Sequence, residues 1–171
     1  MPTQPIPHVV MLCTGNAARS VMAALMIADR SDAVWVTGAG THAIEGLPMS
    51  QRTRAALAHH GIKDPGHRSH QLTATDVVRA DLIVAFERDH VDYVRRIHPE
   101  GATKTATIRY LVATLGNGSR PLADRVAALR LDGVEIGDAE AVVDPAGGDE
   151  QTFIDCAVEV SELVDHLLDR L

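Results

Sequence analysis

The 171-residue chain is poor in aromatic residues, with two Phe, two Tyr and one Trp making 3% of the sequence. It has two lysines against fourteen arginines and a formal charge of −7, so no Lys/Arg stripe is available to neutralise a nucleic-acid backbone. Two cysteines, Cys13 and Cys156, cannot build a disulfide framework, and the first residues lack the charged-then-apolar order of a secretory signal. Both features point to a reducing, cytoplasmic setting. No apolar run approaches the roughly 20 residues that a membrane helix needs, so neither a membrane nor a nucleic acid is expected as a partner. The nine histidines, His59-His60 and His67-x-x-His70 among them, lack the cysteines or carboxylates of a metal cluster, and no metal is expected.

What is present alternates between strand and helix. Residues 1–7 (MPTQPIP) are broken by prolines and read as a disordered tail, with a single domain over 8–171. Residues 8–12 (HVVML) read as a buried central strand, a loop spans 13–19, and helical spacing of Val21, Met22, Leu25 and Met26 follows Ser20. Further strands are expected at 34–39, 82–86 and 139–143, and helices at 50–60, 88–97, 121–131 and 150–170. Residues 105–115 fit either. This order predicts an α/β fold with a parallel sheet and right-handed crossovers.

Cys13 stands at the carboxyl end of the first strand, where open parallel sheets bind their ligands. The stretch Cys13-Thr14-Gly15-Asn16-Ala17-Ala18-Arg19-Ser20 can wrap into a concavity whose backbone N–H groups, backed by a helix amino end, suit an oxyanion such as phosphate or sulfate. Gly15 and Asn16 tolerate the positive φ that wrapping requires, and Ala17 and Ala18 leave backbone at the anion. Arg19 offers a planar fork for two oxygens, and Ser20 a hydrogen bond to the sulfur. Thiolate is the form such surroundings favour, which suggests a nucleophile. Asp144, in "VVDPAGGD" past the expected last strand, is the candidate general acid. Cys156, spaced with Phe153 and Val160, reads as a core thiol. The spacing Gly38-x-Gly40-x-x-Ala43 mimics a dinucleotide fingerprint, but Glu45-Gly46-Leu47-Pro48 follows it where a helix is needed, so it reads as a turn.

At these residues the chain resembles the low-molecular-weight protein tyrosine phosphatases, whose signature is a strand, Cys-x-Gly-Asn-x-Cys-Arg-Ser-Pro and a helix, with a late Asp-Pro loop. "GAGTH" (38–42), "ALAHHGI" (56–62), "HRSHQLT" (67–73) and "ADLIVAF" (80–86) extend the likeness along most of the chain. The resemblance implies a three-layer, flavodoxin-like sandwich with a four-stranded parallel sheet flanked by helices, and no cofactor. It implies Cys13 as nucleophile, Arg19 as phosphate clamp, Asp144 as acid, Thr14 to Ser20 as the phosphate-binding loop and His67 as a support for Asn16. Ala18 stands where the family has a second cysteine, Val21 where it has proline and Ala24 where it has glutamate. Ile44 and Ala146 fall near where its aromatic walls stand.

The expected activity is therefore that of a cysteine-dependent phosphomonoesterase acting through a phosphocysteine on a phosphorylated protein, phosphotyrosine first, or on a small phosphate ester. The alternative is an arsenate reductase, since those enzymes share the fold and the Asn-Ala-x-Arg-Ser-x-Met-Ala-Ala pattern. With Cys156 in a core helix it would need an external thiol. A third reading is a catalytically weak oxyanion-binding module.

Overall fold

A computed structural model describes residues 5–171; residues 1–4 of the expected tail lie outside the described residues. Strand β1 (His8–Cys13) is followed by α1 (Arg19–Arg30), β2 (Trp35–Gly40), α2 (Gln51–Ala58), α3 (Ala74–Arg79) and β3 (Leu82–Ala85). Then come α4 (Arg88–Ile97), β4 (Thr105–Thr107), α5 (Ile108–Thr114), α6 (Leu122–Ala127) and α7 (Glu150–Leu168). The strands form one parallel sheet in the order β2-β1-β3-β4, with Cys13 beside Gly40 and Leu12 beside Ala85. The chain passes from β1 to β2 on one side and then to β3 on the other. The carboxyl end of β1 is thus the point where strand order reverses.

Alternation along β1 divides the core, because successive side chains of a strand point to opposite faces. Val9, Met11 and Cys13 face the layer that contains α1, α5 and α7, meeting Met22, Met26, Leu111, Val160 and Val164. Val10 and Leu12 face the other layer, meeting Val77 of α3 and Val94 of α4. Each fully buried Leu, Ile or Met contributes roughly 1.5–3 kcal/mol. No helix among the described residues is long and apolar enough to cross a membrane.

Three segments differ from the sequence-based expectation. Residues 139–143 form no strand: Asp138–Glu140 is a 3-10 turn, and Val142 makes a single ladder-like bond, its N–H to the Phe86 carbonyl at 2.7 Å. The place beside β3 is already filled by β4, hidden in the ambiguous stretch 105–115. Thr107 ends that strand by capping α5, accepting from the Tyr110 N–H, and donates to Glu140 at 2.6 Å. Helix α3 was not expected either. Its capping box, Thr73 with Asp76, is legible in "TATD" but six residues are too few for a periodic signal. The helix expected over 121–131 stops at Ala127, and Arg130 at φ 52 turns the chain into a second 3-10 turn.

Candidate active site

Loop 14–18 leaves the end of β1 and enters α1 without a side-chain cap. Ala18 at the N-cap position makes no such bond, whereas Ser50, Thr73, Thr107 and Asp149 cap α2, α3, α5 and α7. The first-turn N–H groups of α1 thus have no side-chain cap, as an anion cradle requires.

Asn16 holds the wrap together. It is fully buried at φ +50, and its carbonyl accepts from His67 Nε2 and Ser69 Oγ, both at 2.9 Å. Its amide oxygen accepts the His70 N–H at 2.9 Å, which orients the amide so that Nδ2 donates to Ser20 Oγ at 2.9 Å. Ser20, already an acceptor, has its hydrogen left for Cys13 Sγ, 2.9 Å away. His67 thus contacts Asn16, as do Ser69 and His70, which sequence reasoning missed.

Gly38 and Gly40 are explained by close approach rather than by a nucleotide. A Cβ on Gly40 would stand 2.5 Å from the Thr14 carbonyl and 3.0 Å from the Asn16 nitrogen, and one on Gly38 2.8 Å from Asn16 Nδ2. Beyond Gly40 the N–H groups of Thr41 and His42 bond the carbonyls of Cys13 and Thr14, both at 2.9 Å.

Arg19, 1% exposed, begins α1 and reaches toward the carboxyl end of β3. Its Nη1 donates to Glu87 Oε2 at 2.6 Å and to the Val142 carbonyl at 2.9 Å. Its Nη2 lies 3.4 Å from Asp144 Oδ2 and 3.5 Å from Thr14 Oγ1. A buried guanidinium is costly without a partner, and Glu87 supplies the charge that permits it. Glu87 was not foreseen, although it follows the apolar run 82–86 as Cys13 follows 8–12. Next to it His90 is buried: its Nδ1 accepts the Phe86 N–H at 3.3 Å and its Nε2 stands 3.0 Å from Thr14 Oγ1. Burial, aided by the charges of Arg19 and His42, pushes His90 down to about 3.

Asp144 is 45% exposed, with Oδ1 accepting the Ala146 N–H at 3.0 Å across Pro145. It borders a cavity of about 420 Å³ together with Cys13, Thr14, Arg19, Ala146, Gly147 and Phe153. Ile44 is not among the lining residues; it is 69% exposed on the loop after β2. A larger cavity of about 520 Å³ lies at the amino ends of the strands, by Pro7, Ala33 and Asp81, and is lined by neither cysteine nor histidine. Cys156 lies under Val143, its thiol pushed up to about 12 by burial. Among the described residues no group of three or more His, Cys, Asp or Glu is placed to hold a metal ion.

The chain that places this thiol, arginine and carboxylate around one cavity is similar to known proteins. The chain is 34% identical over 97 residues to the low molecular weight protein-tyrosine-phosphatase Etp of Escherichia coli K12, a match covering 57% of this chain and 66% of Etp, less than two thirds of that relative. It is 27% identical over 165 residues to a protein-arginine-phosphatase of Geobacillus stearothermophilus, covering 96% of this chain and 95% of that one. A solved low molecular weight protein tyrosine phosphatase from T. tengcongensis superposes with a TM-score of 0.77 at 29% identity, over 96% of this chain and 99% of that one. The family described as low molecular weight phosphotyrosine protein phosphatase matches residues 8–125, and to that family this chain belongs.

Proposed function

We propose that the protein is a cysteine-dependent phosphomonoesterase that acts on phosphorylated protein or a small phosphate ester. The observation that carries this is the convergence on one cavity of the Cys13 sulfur, bonded to Ser20 at 2.9 Å, and the Asp144 carboxylate, 3.4 Å from Arg19 Nη2.

In this reading the Cys13 thiolate attacks phosphorus in line with the leaving oxygen, forming the S–P bond as the P–O bond breaks. Asp144, protonated, delivers its proton to that oxygen. Backbone N–H groups of Thr14 to Ser20 and the Arg19 fork hold the three equatorial oxygens as charge redistributes. Asp144, now a carboxylate, then takes a proton from water, whose oxygen attacks phosphorus, releasing phosphate and restoring the thiolate. No metal or organic cofactor enters this scheme.

Phosphotyrosine and phosphoarginine on protein are the two substrate candidates, because the relatives named above carry one or the other activity in their names. Phe153 is the ring among the cavity-lining residues, which also include Ala146 and Gly147. Arsenate reduction is disfavoured, since the relatives named are phosphatases and Cys156 is buried with a raised pKa, unfit to resolve a thiol-arsenate adduct. We also take 8–171 as one domain, with α7 closing over α1 and α2, and a reducing compartment as its home, since both cysteines are free. Neither nucleic acid nor membrane is proposed as a partner.

The test is hydrolysis of p-nitrophenyl phosphate by the wild type beside Cys13→Ser and Asp144→Asn, followed by a panel of phosphotyrosine, phosphoarginine and phosphoserine peptides. Loss of turnover in Cys13→Ser is expected. A wild-type rate no higher than that of Cys13→Ser would overturn the reading.

A further inference from the structure

Thr14 follows Cys13 in the loop and borders the same cavity. Among the described residues its Oγ1 has two hydrogen-bond partners, His90 Nε2 at 3.0 Å and, at a longer 3.5 Å, Arg19 Nη2. Both are donors. A guanidinium has no acceptor site. The His90 ring is read by its other nitrogen, because Nδ1 accepts the Phe86 N–H at 3.3 Å and so carries no hydrogen, which places the ring proton on Nε2. His90 is 1% exposed and held neutral by its burial, so this tautomer persists at ordinary pH.

The acceptor sites of the Thr14 oxygen are thus both engaged, and its own hydrogen has no acceptor within reach among the described residues. Glu87, the neighbouring carboxylate, directs Oε2 to Arg19, and its Oε1 stands 3.7 Å from His90 Nε2. A hydroxyl whose lone pairs are fixed by two donors has one direction left for its hydrogen. We infer that the Thr14 hydroxyl is a side-chain donor to an oxyanion bound at Cys13, and that His90 is the positioning residue that fixes its direction from behind.

The inference rests on the phosphatase reading for its substrate but concerns a binding contact that is measurable without turnover. An added neutral donor strengthens the hold on the phosphoryl oxygens at no cost in net charge, where Arg19 already divides its charge between Glu87 and Asp144.

The experiment uses the purified full chain and two readouts: the Kd of inorganic phosphate by calorimetry, and kcat/KM with p-nitrophenyl phosphate. Thr14→Val, which keeps the shape and removes the hydroxyl, is expected to weaken phosphate binding and to lower kcat/KM, each by about tenfold or more. Thr14→Ser is expected to recover most of both. His90→Leu should reproduce the Thr14→Val loss, His90→Gln, with an N–H near the Nε2 position, should recover most of it, and the Thr14→Val/His90→Leu double variant should lose little beyond either alone. The rate of Cys13 alkylation by neutral iodoacetamide, measured without phosphate, should change less than twofold in Thr14→Val. Equal phosphate affinity in wild type, Thr14→Val and Thr14→Ser overturns the inference, as does strict additivity of Thr14→Val and His90→Leu. Should His90→Leu fail to fold, the Thr14 pair and His90→Gln decide by the same criteria. Wild type indistinguishable from Cys13→Ser in turnover, with phosphate binding still lowered by Thr14→Val, would instead overturn the phosphatase reading and leave this contact standing.

Discussion

Glu87 Oε2 lies 2.6 Å from Arg19 Nη1, and the two differ in access to water: the arginine side chain is 1% exposed and the glutamate 27%. The arginine therefore depends on the glutamate more than the reverse. Glu87→Gln keeps an acceptor but removes the charge, so it should lower stability by about 1–3 kcal/mol, less than for a fully buried pair because water reaches Glu87. It should also lower kcat/KM about tenfold as the Arg19 fork loses its fixed orientation. Thermal unfolding and steady-state kinetics on the same preparation check both.

Gly40 meets backbone, which gives way less easily than a side chain. Gly40→Ala brings a methyl to 2.5 Å from the Thr14 carbonyl, and relief requires moving the phosphate loop. A loss of about 2–4 kcal/mol and of most activity is expected. Gly137→Ala is the control, since nothing lies within 4 Å of its Cβ site and its φ is −88, and it should sit within about 0.5 kcal/mol of wild type.

Asp144→Asn removes the transferable proton and, having one oxygen instead of two, also weakens the Arg19 contact, so two leaving groups are needed to isolate the acid role. The amide keeps an oxygen for the Ala146 N–H but has no proton to deliver. With phenyl phosphate, a poor leaving group, kcat should fall by about 10²–10⁴. With p-nitrophenyl phosphate the fall should be smaller, because nitrophenolate departs without help. Equal losses for the two esters would remove Asp144 as the acid.

The stability of the fold should weaken in acid through His90. Burial lowers its pKa from 6.5 to about 3, so between those values the unfolded chain binds a proton that the folded chain refuses. Stability from this group is present above pH 6.5 and is lost as pH falls toward 3, by about 1.4 kcal/mol for each pH unit at the steepest. Denaturant titrations at several pH values, wild type against His90→Gln, isolate the slope, since the other groups cancel in the difference.

The half of the site that lies close in sequence was legible, and the half assembled across the sheet was not. Cys13, Asn16, Arg19 and Ser20 announce themselves because one strand, one loop and one helix start set their geometry locally. Glu87 and His90 act from the end of the neighbouring strand, and only the strand order β2-β1-β3 brings them to the loop. Asp144 was placed near the site on the premise of a strand at 139–143. Its position in fact follows from Val142, whose N–H bonds Phe86 and whose carbonyl takes Arg19. Gly38 and Gly40 looked like a turn because a glycine required by a close approach carries no mark that distinguishes it from one required by φ. The short β4 escaped because three residues hold too little pattern to separate strand from helix.

Helix α7 carries a further consequence, for biogenesis. It buries Ala157, Val160, Val164 and Leu167 against the layer containing α1, and Phe153 at its start lines the cavity over Cys13. The nucleophile is translated more than a hundred residues before that wall exists. A nascent chain that has emerged only through β4 presents a bare thiol and the uncovered apolar face of α1. With alanine at position 18, an oxidised Cys13 in that interval finds no adjacent thiol to rescue it, so the quality of each new molecule depends on how quickly its last long helix docks.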